Sequence, residues 1–552
     1  MKKIYSTLLL LIFTTNIFSQ SNTRYWVAFK DKSASPYTVT NPQQFLSQRA
    51  INRRALHSYP VTMQDIPVNQ SYIDSVKATG AILLSRSRWY NGIVVRITNP
   101  AQVIAINALA CVQSSKGVAI VKPMNPTVNI PDNNSASKEN AAVQTAGRFN
   151  YGGAYNQIHQ LNGECLHDQF YDGTGMQIAE IDDGFLNAST ISIFDSLWAQ
   201  NRIISKHNFF TGDTTSLFSI GGHGTSVLSC MAAFKSGSMI GTAPYAKFYL
   251  LRSEVDSSEK IMEEYSWVSA IEYADSAGAD VATSSLGYTT FPNDPTMDHT
   301  WADLNGRNSV ASLSATMAAR RGMIVCVAAG NEGGSTWQKI SIPSDADSIL
   351  AVGAVDNTGI YASFSSTGYS ADGRVKPDVM AQGAGSTIIS ANSGNVVSGS
   401  GTSFATPILA GMVACLWQGN PTKTNMQIIA AIKQSASRYL TPDSMMGYGI
   451  PDFCLADHIL KGNVGTQVYV YPTFFENQSS IYIVGSNNVN LTLELYDISG
   501  RLLVSMPAKI LKDNGYKQAI EIPDSNTLPS GMYLIKITSD NGQRWVTKLI
   551  KP

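Results

Sequence analysis

The sequence predicts an α/β unit with a parallel sheet in the middle of the chain, an α+β unit before it and a β-sandwich after it. From about residue 150 to 462, apolar β-branched runs typical of buried parallel strands alternate with small-residue segments typical of buried helices. Residues 20–125 mix both patterns over a short length. Residues 465–552 contain alternating, β-rich runs with turns between them.

The first 19 residues have the pattern of a secretory signal peptide. Lys2 and Lys3 precede an apolar run at residues 8–13, and a cleavage point follows Ser19. This run is too short to span a bilayer, and no later run of about 20 apolar residues follows. The sequence therefore predicts an exported protein with no integral membrane segment.

The chain's charges are balanced. Its 552 residues include 40 basic and 40 acidic side chains, and charged residues make up 14%. No electrostatic attraction to nucleic acid or anionic lipid follows from such a composition. Nucleic acid is therefore not an expected partner.

The six cysteines are too few and too scattered for a disulfide framework. Cys230 and Cys326 lie in apolar segments and are expected to be buried, inert thiols. A disulfide among Cys165, Cys415 and Cys454 remains open.

The mixed helix and strand patterns of residues 20–125 predict a separate small unit. The polar, proline-containing composition of residues 126–149 predicts an exposed linker that is open to processing. The unit's predicted strands are 25–29, 92–97 and 118–123, and its predicted helices are 42–51, with Pro42 in the first turn, and 103–109.

A strand-like run at residues 178–182 ends in the carboxylate of Asp182, followed by Asp183 and Gly184. Carboxylates at the carboxyl ends of parallel strands commonly face the site of an open α/β sheet. An ordinary Asp-Gly turn is the alternative.

His223 is bracketed by glycines and precedes a small-residue segment, 227–233, that predicts a buried helix. No other histidine of the chain's seven has such a setting. A structural histidine is the alternative.

The apolar run at residues 323–329 predicts a central parallel strand that ends near Gly330 and Asn331. The Asn331 amide could donate to an oxyanion in a cleft beyond this strand. A turn that contains asparagine is the alternative.

Ser403 lies where a glycine-bearing turn opens into a predicted buried helix, 408–414. The free N–H groups and positive dipole at a helix start can stabilise an alkoxide or oxyanion. A simple helix cap is the alternative.

Taken together, these four stretches resemble the subtilisin-like serine proteases (subtilases), including the chain order Asp, His, Ser. The resemblance implies a seven-stranded parallel sheet and peptide hydrolysis through an acyl-enzyme. It implies that Asp182 orients His223, that His223 is general base and then general acid, that Ser403 is the nucleophile, and that Asn331 donates to the oxyanion.

One position departs from the family pattern. Subtilases usually carry Ser or Thr after the catalytic Asp, whereas this chain has Asp183. A second carboxylate could raise the pKa of Asp182 or compete for the imidazole. If the strand continues through Asp183, its side chain should point away from that of Asp182.

Two further segments resemble substrate-contacting parts of subtilases. Ser285, Leu286 and Gly287 occupy the positions of the strand that aligns an extended peptide by β-addition, with a structural strand end as the alternative. The small residues Ala328, Ala329 and Gly330 match one wall of the specificity pocket.

The predicted unit 20–125 resembles subtilase propeptides, which implies an intramolecular inhibitor; a retained accessory domain is the alternative. No cofactor is expected to be required, and no metal ligand is assigned, because the sequence contains no dense Asp/Asn loop with the 12-residue spacing of a calcium site. Structural calcium is common in the family, and scattered carboxylates such as Asp213, Asp294 and Asp298 could supply ligands, although solvated loop charges are the simpler interpretation.

The predicted unit 465–552 resembles the C-terminal sorting domain of the type IX secretion system, which implies that machinery as a partner. The matching segments are 471–473, 495–501, 528–533 and 548–551. Thr473 and Phe474 stand where Asn-Pro is usual. A carbohydrate- or protein-binding β-module is the alternative.

The predicted function is that of a secreted or surface-attached serine endopeptidase acting on proteins or peptides. Two alternatives stay open. A narrow-specificity maturation protease or peptide cyclase would use the same residues, and a catalytically silent surface protein would keep the fold and only bind peptide.

Overall fold

A computed structural model of the chain describes residues 22–33, 35–121, 148–213, 216–254, 260–292, 294–462, 469–471, 480–484, 489–510, 517–524 and 527–551. The predicted signal peptide 1–19 and most of the predicted linker 126–149 lie outside the described residues.

The N-terminal domain, residues 22–121, is an antiparallel sheet with three helices. Its elements are β1 (Asn22–Phe29), α1 (Gln48–Leu56), α2 (Gln70–Lys77), β2 (Ile82–Ser87), β3 (Gly92–Ile97), α3 (Ala101–Asn107) and β4 (Val112–Val121). The strand order is β2-β3-β1-β4, and every pairing is antiparallel.

The helix predicted at 42–51 is divided in two. A 3-10 turn covers Pro42–Gln44, and α1 begins only at Gln48. Ser47 caps α1, because its side chain accepts a hydrogen bond from the Ala50 N–H at 3.1 Å. The prediction that one helix starts at Pro42 was therefore wrong.

The central domain contains a seven-stranded sheet in the order β13-β12-β11-β10-β5-β9-β6, and all its pairings are parallel. Its strands and those of two small hairpins are β5 (Gln177–Asp182), β6 (Ile203–Asn208), β7 (Phe234–Lys235), β8 (Met239–Ile240), β9 (Lys247–Arg252), β10 (Val281–Ser284), β11 (Ile324–Ala328), β12 (Leu350–Val355), β13 (Val379–Gln382), β14 (Ser386–Ile389) and β15 (Val396–Gly399).

Helices cover both faces of this sheet. They are α4 (Tyr155–His159), α5 (Glu164–Asp168), α6 (Asp195–Ala199), α7 (Gly222–Ala232), α8 (Ile261–Ala277), α9 (Val310–Ala319), α10 (Thr402–Gly419), α11 (Asn425–Ser435) and α12 (Phe453–Lys461). The central domain also has short 3-10 helices at Ser192–Phe194, Ser216–Phe218, Pro295–Met297 and Trp301–Asp303, and the N-terminal domain has one at Met63–Asp65.

Side chains alternate between the two faces of β5. Ile178 joins the apolar core with α7 and α10, whereas Ala179 and Ile181 join the core with α8 and α9. Because β5 is buried on both faces, its polar residues stand out as candidates for function.

A disulfide joins Cys165 on α5 to Cys454 on α12, with Cα atoms 5.6 Å apart. This is one of the pairings that the sequence left open. It links α12, near the end of the central domain, to α5, near its beginning. Cys230, Cys326 and Cys415 are buried free thiols, as expected for the first two.

The described strands of the tail form two sheets. Its strands are β16 (Tyr469–Tyr471), β17 (Ser480–Val484), β18 (Val489–Asp497), β19 (Leu502–Ile510), β20 (Lys517–Glu521), β21 (Gly531–Ser539) and β22 (Arg544–Lys551). The sheet β16-β17-β20 and the sheet β19-β18-β21-β22 share an apolar core, because Ile520 packs with Leu493 and Ile535. Within the described ranges, no helix is both long and apolar enough to cross a membrane.

Candidate active site

The carboxyl end of β5 brings Asp182 to His223 in the first turn of α7. Asp182 Oδ1 lies 2.7 Å from His223 Nδ1, a hydrogen-bond distance. The Asp182 side chain is fully buried, whereas that of His223 is 34% exposed. The Asp182 carboxylate can therefore hold Nδ1 and leave the other edge of the imidazole facing the cleft.

Glycine permits this close approach of β5 and α7. A Cβ atom on Gly224 would lie 2.2 Å from Gly184 O and 3.0 Å from Asp182 Cβ. Gly221, which precedes α7, has φ +70°, and a Cβ there would lie 2.5 Å from Asp183 O. Side chains at these positions would push His223 away from Asp182.

Asp183 does not point away from the site, as expected for a continuing strand, because β5 ends at Asp182. The Gly224 N–H donates to Asp183 Oδ1 at 3.1 Å, and the Asp183 N–H donates to Asp182 Oδ1 at 2.9 Å. A carboxylate at the positive end of α7 is electrostatically favourable. Asp183 therefore anchors the helix that carries His223.

Ser403 lies in the first turn of α10, next to Ser285 beyond β10. Ser403 Oγ donates to Ser285 O at 3.3 Å, and Ser285 Oγ donates to Ser403 O at 2.8 Å. Pro407, four residues after Ser403, has no N–H to give to the Ser403 carbonyl. The Ser285 hydroxyl takes that place and ties the candidate nucleophile to the central sheet.

Asn331 follows β11 and is held by Thr402, the residue before Ser403. The Thr402 N–H and Oγ1 donate to Asn331 Oδ1 at 2.8 and 2.9 Å. With its oxygen occupied, the Asn331 amide must present Nδ2 elsewhere. A Cβ on Gly401 would lie 3.5 Å from that Nδ2 and 3.7 Å from Ser403 Cβ, so the amide nitrogen and Ser403 border the same space.

The rings of His223 and Phe404 lie 6.2 Å apart between centroids. Phe404 follows Ser403 directly, so the start of α7 and the start of α10 border the same cleft. The structure thus brings Asp182, His223, Ser403 and Asn331 to one edge of the sheet.

The candidate substrate residues lie at the same edge. Ser285 and Leu286 are buried, whereas Gly287 is exposed. A Cβ on Gly287 would lie 2.2 Å from Ser341 Oγ, so a side chain at position 287 would displace the segment that carries Ser341. Sequence reasoning missed Ser341 as a neighbour of the candidate substrate residues, because only the folded chain brings it next to Gly287.

Ala328 and Ala329 are buried, and Gly330 is partly exposed with φ +108°. Ala329 belongs to the core on the α8 and α9 face of the sheet. Its carbonyl accepts a hydrogen bond from the Ser341 N–H at 2.9 Å. Any contact of this segment with substrate would involve Gly330 and its neighbouring backbone more directly than the Ala329 methyl.

Among the described residues, the His, Cys, Asp and Glu ligand atoms close enough to hold a metal ion are those of Asp182, Asp183 and His223. Their hydrogen bonds already serve to position the candidate active site. Asp213 and Asp298, two suggested calcium ligands, accept hydrogen bonds from nearby backbone N–H groups, and Asp294 accepts one from Thr296 Oγ1.

The N-terminal domain packs against the central domain through buried charges on α1 and α8. Asp275 on α8 forms ion pairs of 2.5 Å with both Arg53 and Arg54. Arg321 Nε donates to Asp65 at 2.7 Å. These side chains are almost fully buried, so separating the domains would leave their charges without partners. No local pattern indicates these pairs, because their members lie more than 200 residues apart.

Three family models match the chain. Residues 173–449 match the subtilase family, residues 24–140 match the peptidase S8 propeptide domain of Bacteroidota, and residues 469–552 match a secretion system C-terminal sorting domain.

Individual relatives agree with these matches. Subtilisin E of Bacillus subtilis (strain 168) is 30% identical over 348 residues, which cover 62% of this chain and 79% of the relative. Subtilisin of Bacillus pumilus is 31% identical over 296 residues, which cover 53% of this chain and 94% of the relative. The structure of the epidermin leader peptide processing serine protease (EpiP) from Staphylococcus aureus aligns with a TM-score of 0.52 at 17% identity, covering 80% of this chain and 98% of that one. At that identity, the structural likeness supports the fold alone.

Proposed function

Since this chain belongs to the subtilase family, we propose that Asp182, His223 and Ser403 form the catalytic triad of a secreted serine endopeptidase and that Asn331 completes its oxyanion hole. The observation that carries the proposal is the 2.7 Å hydrogen bond between Asp182 and His223 beside the start of α10. The subtilase match and the sorting-domain match identify the chain as a secreted serine protease. We propose the roles of the individual residues within it.

The proposed roles give the following mechanism. His223 Nε2 takes the proton of Ser403 Oγ as the oxygen attacks the scissile carbonyl, and Asp182 stabilises the imidazolium. Asn331 Nδ2 donates to the resulting oxyanion. The imidazolium then gives its proton to the leaving amine, which leaves an ester on Ser403. Water, activated by His223, hydrolyses that ester.

A fluorophosphonate probe tests the assignment, because it forms a bond only with an activated serine. Mass spectrometry of the labelled mature enzyme should place the adduct on Ser403. Labelling of another serine, or no labelling of mature enzyme, would contradict the triad.

The two alternatives differ in their products. A peptide cyclase would return a cyclic product where the proposed endopeptidase returns a free carboxylate. A silent peptide-binding protein would not react with the probe. Neither alternative is favoured by a particular contact among the described residues.

We further propose that the propeptide domain inhibits its own catalytic domain until it is cut away. The support is the propeptide match and the buried ion pairs between α1 and α8. These pairs specify how the two domains dock, because a shifted arrangement would leave a buried charge without its partner.

Arg53→Gln is expected to loosen this docking. The change removes a charged hydrogen bond to Asp275, while Arg54 still neutralises that carboxylate. In an inactive Ser403→Ala background, we expect hydrogen exchange of the α1 amides to become about tenfold faster. Arg86→Gln, at an exposed position of the same domain, is the matched control. Equal protection in the two variants would exclude a role for Arg53 in docking.

The sorting domain's turns explain its recognisable sequence. In the segment 495–501, Asp497 Oδ1 accepts hydrogen bonds from the N–H groups of Ser499 and Arg501 at 2.9 and 3.0 Å. In the segment 528–533, Tyr533 OH donates to the Pro529 carbonyl. We propose that the type IX secretion machinery recognises the tail that these turns shape.

Deleting residues 465–552 is expected to leave an active enzyme that is no longer exported across the outer membrane. The catalytic domain ends with α12, which the Cys165–Cys454 disulfide fastens to α5, so its core is complete before the tail. Cell fractionation and peptide hydrolysis in lysates check both parts. Normal surface display without the tail would contradict the sorting role, and an inactive lysate would indicate that the tail supports the catalytic domain.

A further inference from the structure

Glu180 is a buried carboxyl group in the middle of β5, two residues before Asp182. It is 0% exposed, and it shares with Asp182 the face of β5 that packs against α7 and α10. Within the described part of the chain, neither of its carboxyl oxygens has a hydrogen-bond partner. By contrast, the buried Asp275 is paired with arginines, and the buried Asp345 accepts a hydrogen bond from the Gly306 N–H.

Other oxygens close to Glu180 are also without partners. Thr283 on β10 is its register neighbour, and Thr283 Oγ1 is buried without a partner among the described residues. The same holds for Asp182 Oδ2, the oxygen that does not bind His223. Buried polar groups of this kind are ordinarily satisfied by ordered water.

The charges around Glu180 favour its neutral form. Burial, followed by the charges of Asp182 and Asp183, raises the pKa of Glu180 well above its usual value. On α7, burial also raises the pKa of the Cys230 thiol, which therefore adds no charge, and His223 is engaged with Asp182. Leu250 on β9 and Thr283 on β10, the register neighbours of Glu180, carry no charge. The positively charged Arg252 of β9 lies beside Asp182 and donates through Nε to the Asp183 carbonyl. These effects favour the protonated form of Glu180, which can donate a hydrogen bond.

We propose that Glu180 is a positioning residue that donates its carboxyl proton, through buried water, to Asp182 Oδ2. The inference rests on the proposed role of Asp182 in the triad. Asp182 Oδ1 already accepts from His223 and from the Asp183 N–H, whereas Oδ2 is buried and lacks a donor among the described residues. A buried carboxylate needs donors to stay ionised, and a neutral acid supplies one without adding charge.

The expected consequence is a change in how strongly Asp182 stabilises the protonated imidazole of His223. A donor on Oδ2 disperses the negative charge of Asp182, and this weakens the stabilisation of the His223 imidazolium. It also keeps the Asp182 carboxylate in the orientation that holds Nδ1. Glu180 would act on the reaction through Asp182 and need not touch substrate.

The experiment compares kcat and KM across pH for wild type, Glu180→Leu, Glu180→Gln and the control Ile178→Leu, which lies on the same face of β5. Glu180→Leu removes the donor, and we expect kcat to fall about tenfold with little change in KM. The acid limb of kcat/KM should move about half a pH unit upward, because His223 becomes easier to protonate. Glu180→Gln keeps a neutral donor and should restore most of kcat. Ile178→Leu should leave the pH profile in place.

Thermal unfolding provides a readout that does not need activity. A carboxyl whose pKa is raised on folding contributes stability below its usual pKa of 4.5, and that stability is lost as pH rises. In a Ser403→Ala background, the melting temperature of the protein that keeps Glu180 should therefore fall, relative to that of the Glu180→Gln variant, as the pH is raised above 4.5.

Three results would overturn the inference. They are a Glu180→Leu enzyme with wild-type kcat and acid limb, a Glu180→Gln enzyme as impaired as Glu180→Leu, and a melting difference that does not change with pH. A wild-type enzyme that neither hydrolyses peptide nor reacts with the fluorophosphonate would instead refute the proposed function. An active wild type with unaltered variants would refute this inference alone.

Discussion

Ser403→Ala is expected to lower kcat for a peptide substrate by about 10⁶-fold, the loss that a subtilisin suffers when its catalytic serine is removed. The change removes the attacking oxygen and little else. The Ser403 hydroxyl makes a long 3.3 Å hydrogen bond to Ser285 O, and the shorter 2.8 Å bond from Ser285 Oγ goes to the Ser403 backbone. The variant should therefore keep the fold of the wild type.

The measurement is peptide hydrolysis by purified enzyme, beside a melting curve. Ser398→Ala, at an exposed position on β15, is the matched control and should keep full activity. Residual turnover above about 1% of wild type would refute Ser403 as the nucleophile, since loss of a covalent nucleophile costs far more than that.

The same variant bears on maturation. We propose that the enzyme cuts its own chain between about residues 122 and 150, after the propeptide domain, because the polar composition there suits a processing site. Purified Ser403→Ala should then keep its propeptide attached, whereas active enzyme should begin within this range. Active enzyme whose sequenced N-terminus lies near residue 20 would contradict this.

Asn331→Asp is expected to lower kcat by about 100- to 1,000-fold with little change in KM, the range found for the oxyanion donor of a subtilisin. The aspartate keeps the oxygen to which Thr402 donates, so the local structure should persist. It loses the Nδ2 donor and places negative charge where the oxyanion forms. Because that oxyanion exists only along the reaction path, ground-state binding should change little.

Thr402→Val provides the control for Asn331. It removes one of two hydrogen bonds that orient the amide and keeps the donor itself, because the Thr402 N–H still binds Asn331 Oδ1 at 2.8 Å. We expect a loss of about tenfold or less in kcat. If Asn331→Asp retains kcat within about threefold of wild type, Asn331 is not an oxyanion donor.

Local elements explain why the sequence identified the four candidate residues. Asp182 ends a strand, His223 follows a glycine turn, Asn331 follows a strand, and Ser403 begins a helix. Each position can be recognised from about ten residues of sequence, because strand ends, glycine turns and helix starts depend mainly on local sequence. The parallel sheet then had to bring these ends to one edge.

The ends of elements and the directions of their side chains were harder to predict from the sequence. The helix expected to begin at Pro42 starts at Gln48, since the Ser47 side chain offers a cap to the Ala50 N–H. β5 ends at Asp182, as the sequence indicated, but the Asp183 side chain does not point away from the site as it would in a continuing strand, because its carboxylate binds the Gly224 N–H at the start of α7. In both cases a side chain competed with the regular pattern for a backbone N–H.

The sequence by itself determined the order of the units, the strand and helix that carry each candidate catalytic residue, and the sorting tail. Only the tertiary structure decided which side chains meet across the chain: Arg53 with Asp275, Cys165 with Cys454, and Ser285 with Ser403. It also decided that Glu180 is buried beside Asp182 without a partner among the described residues. The physical reason is that an element's pattern depends on near neighbours, whereas the partner of a buried polar group depends on which distant segment packs against it.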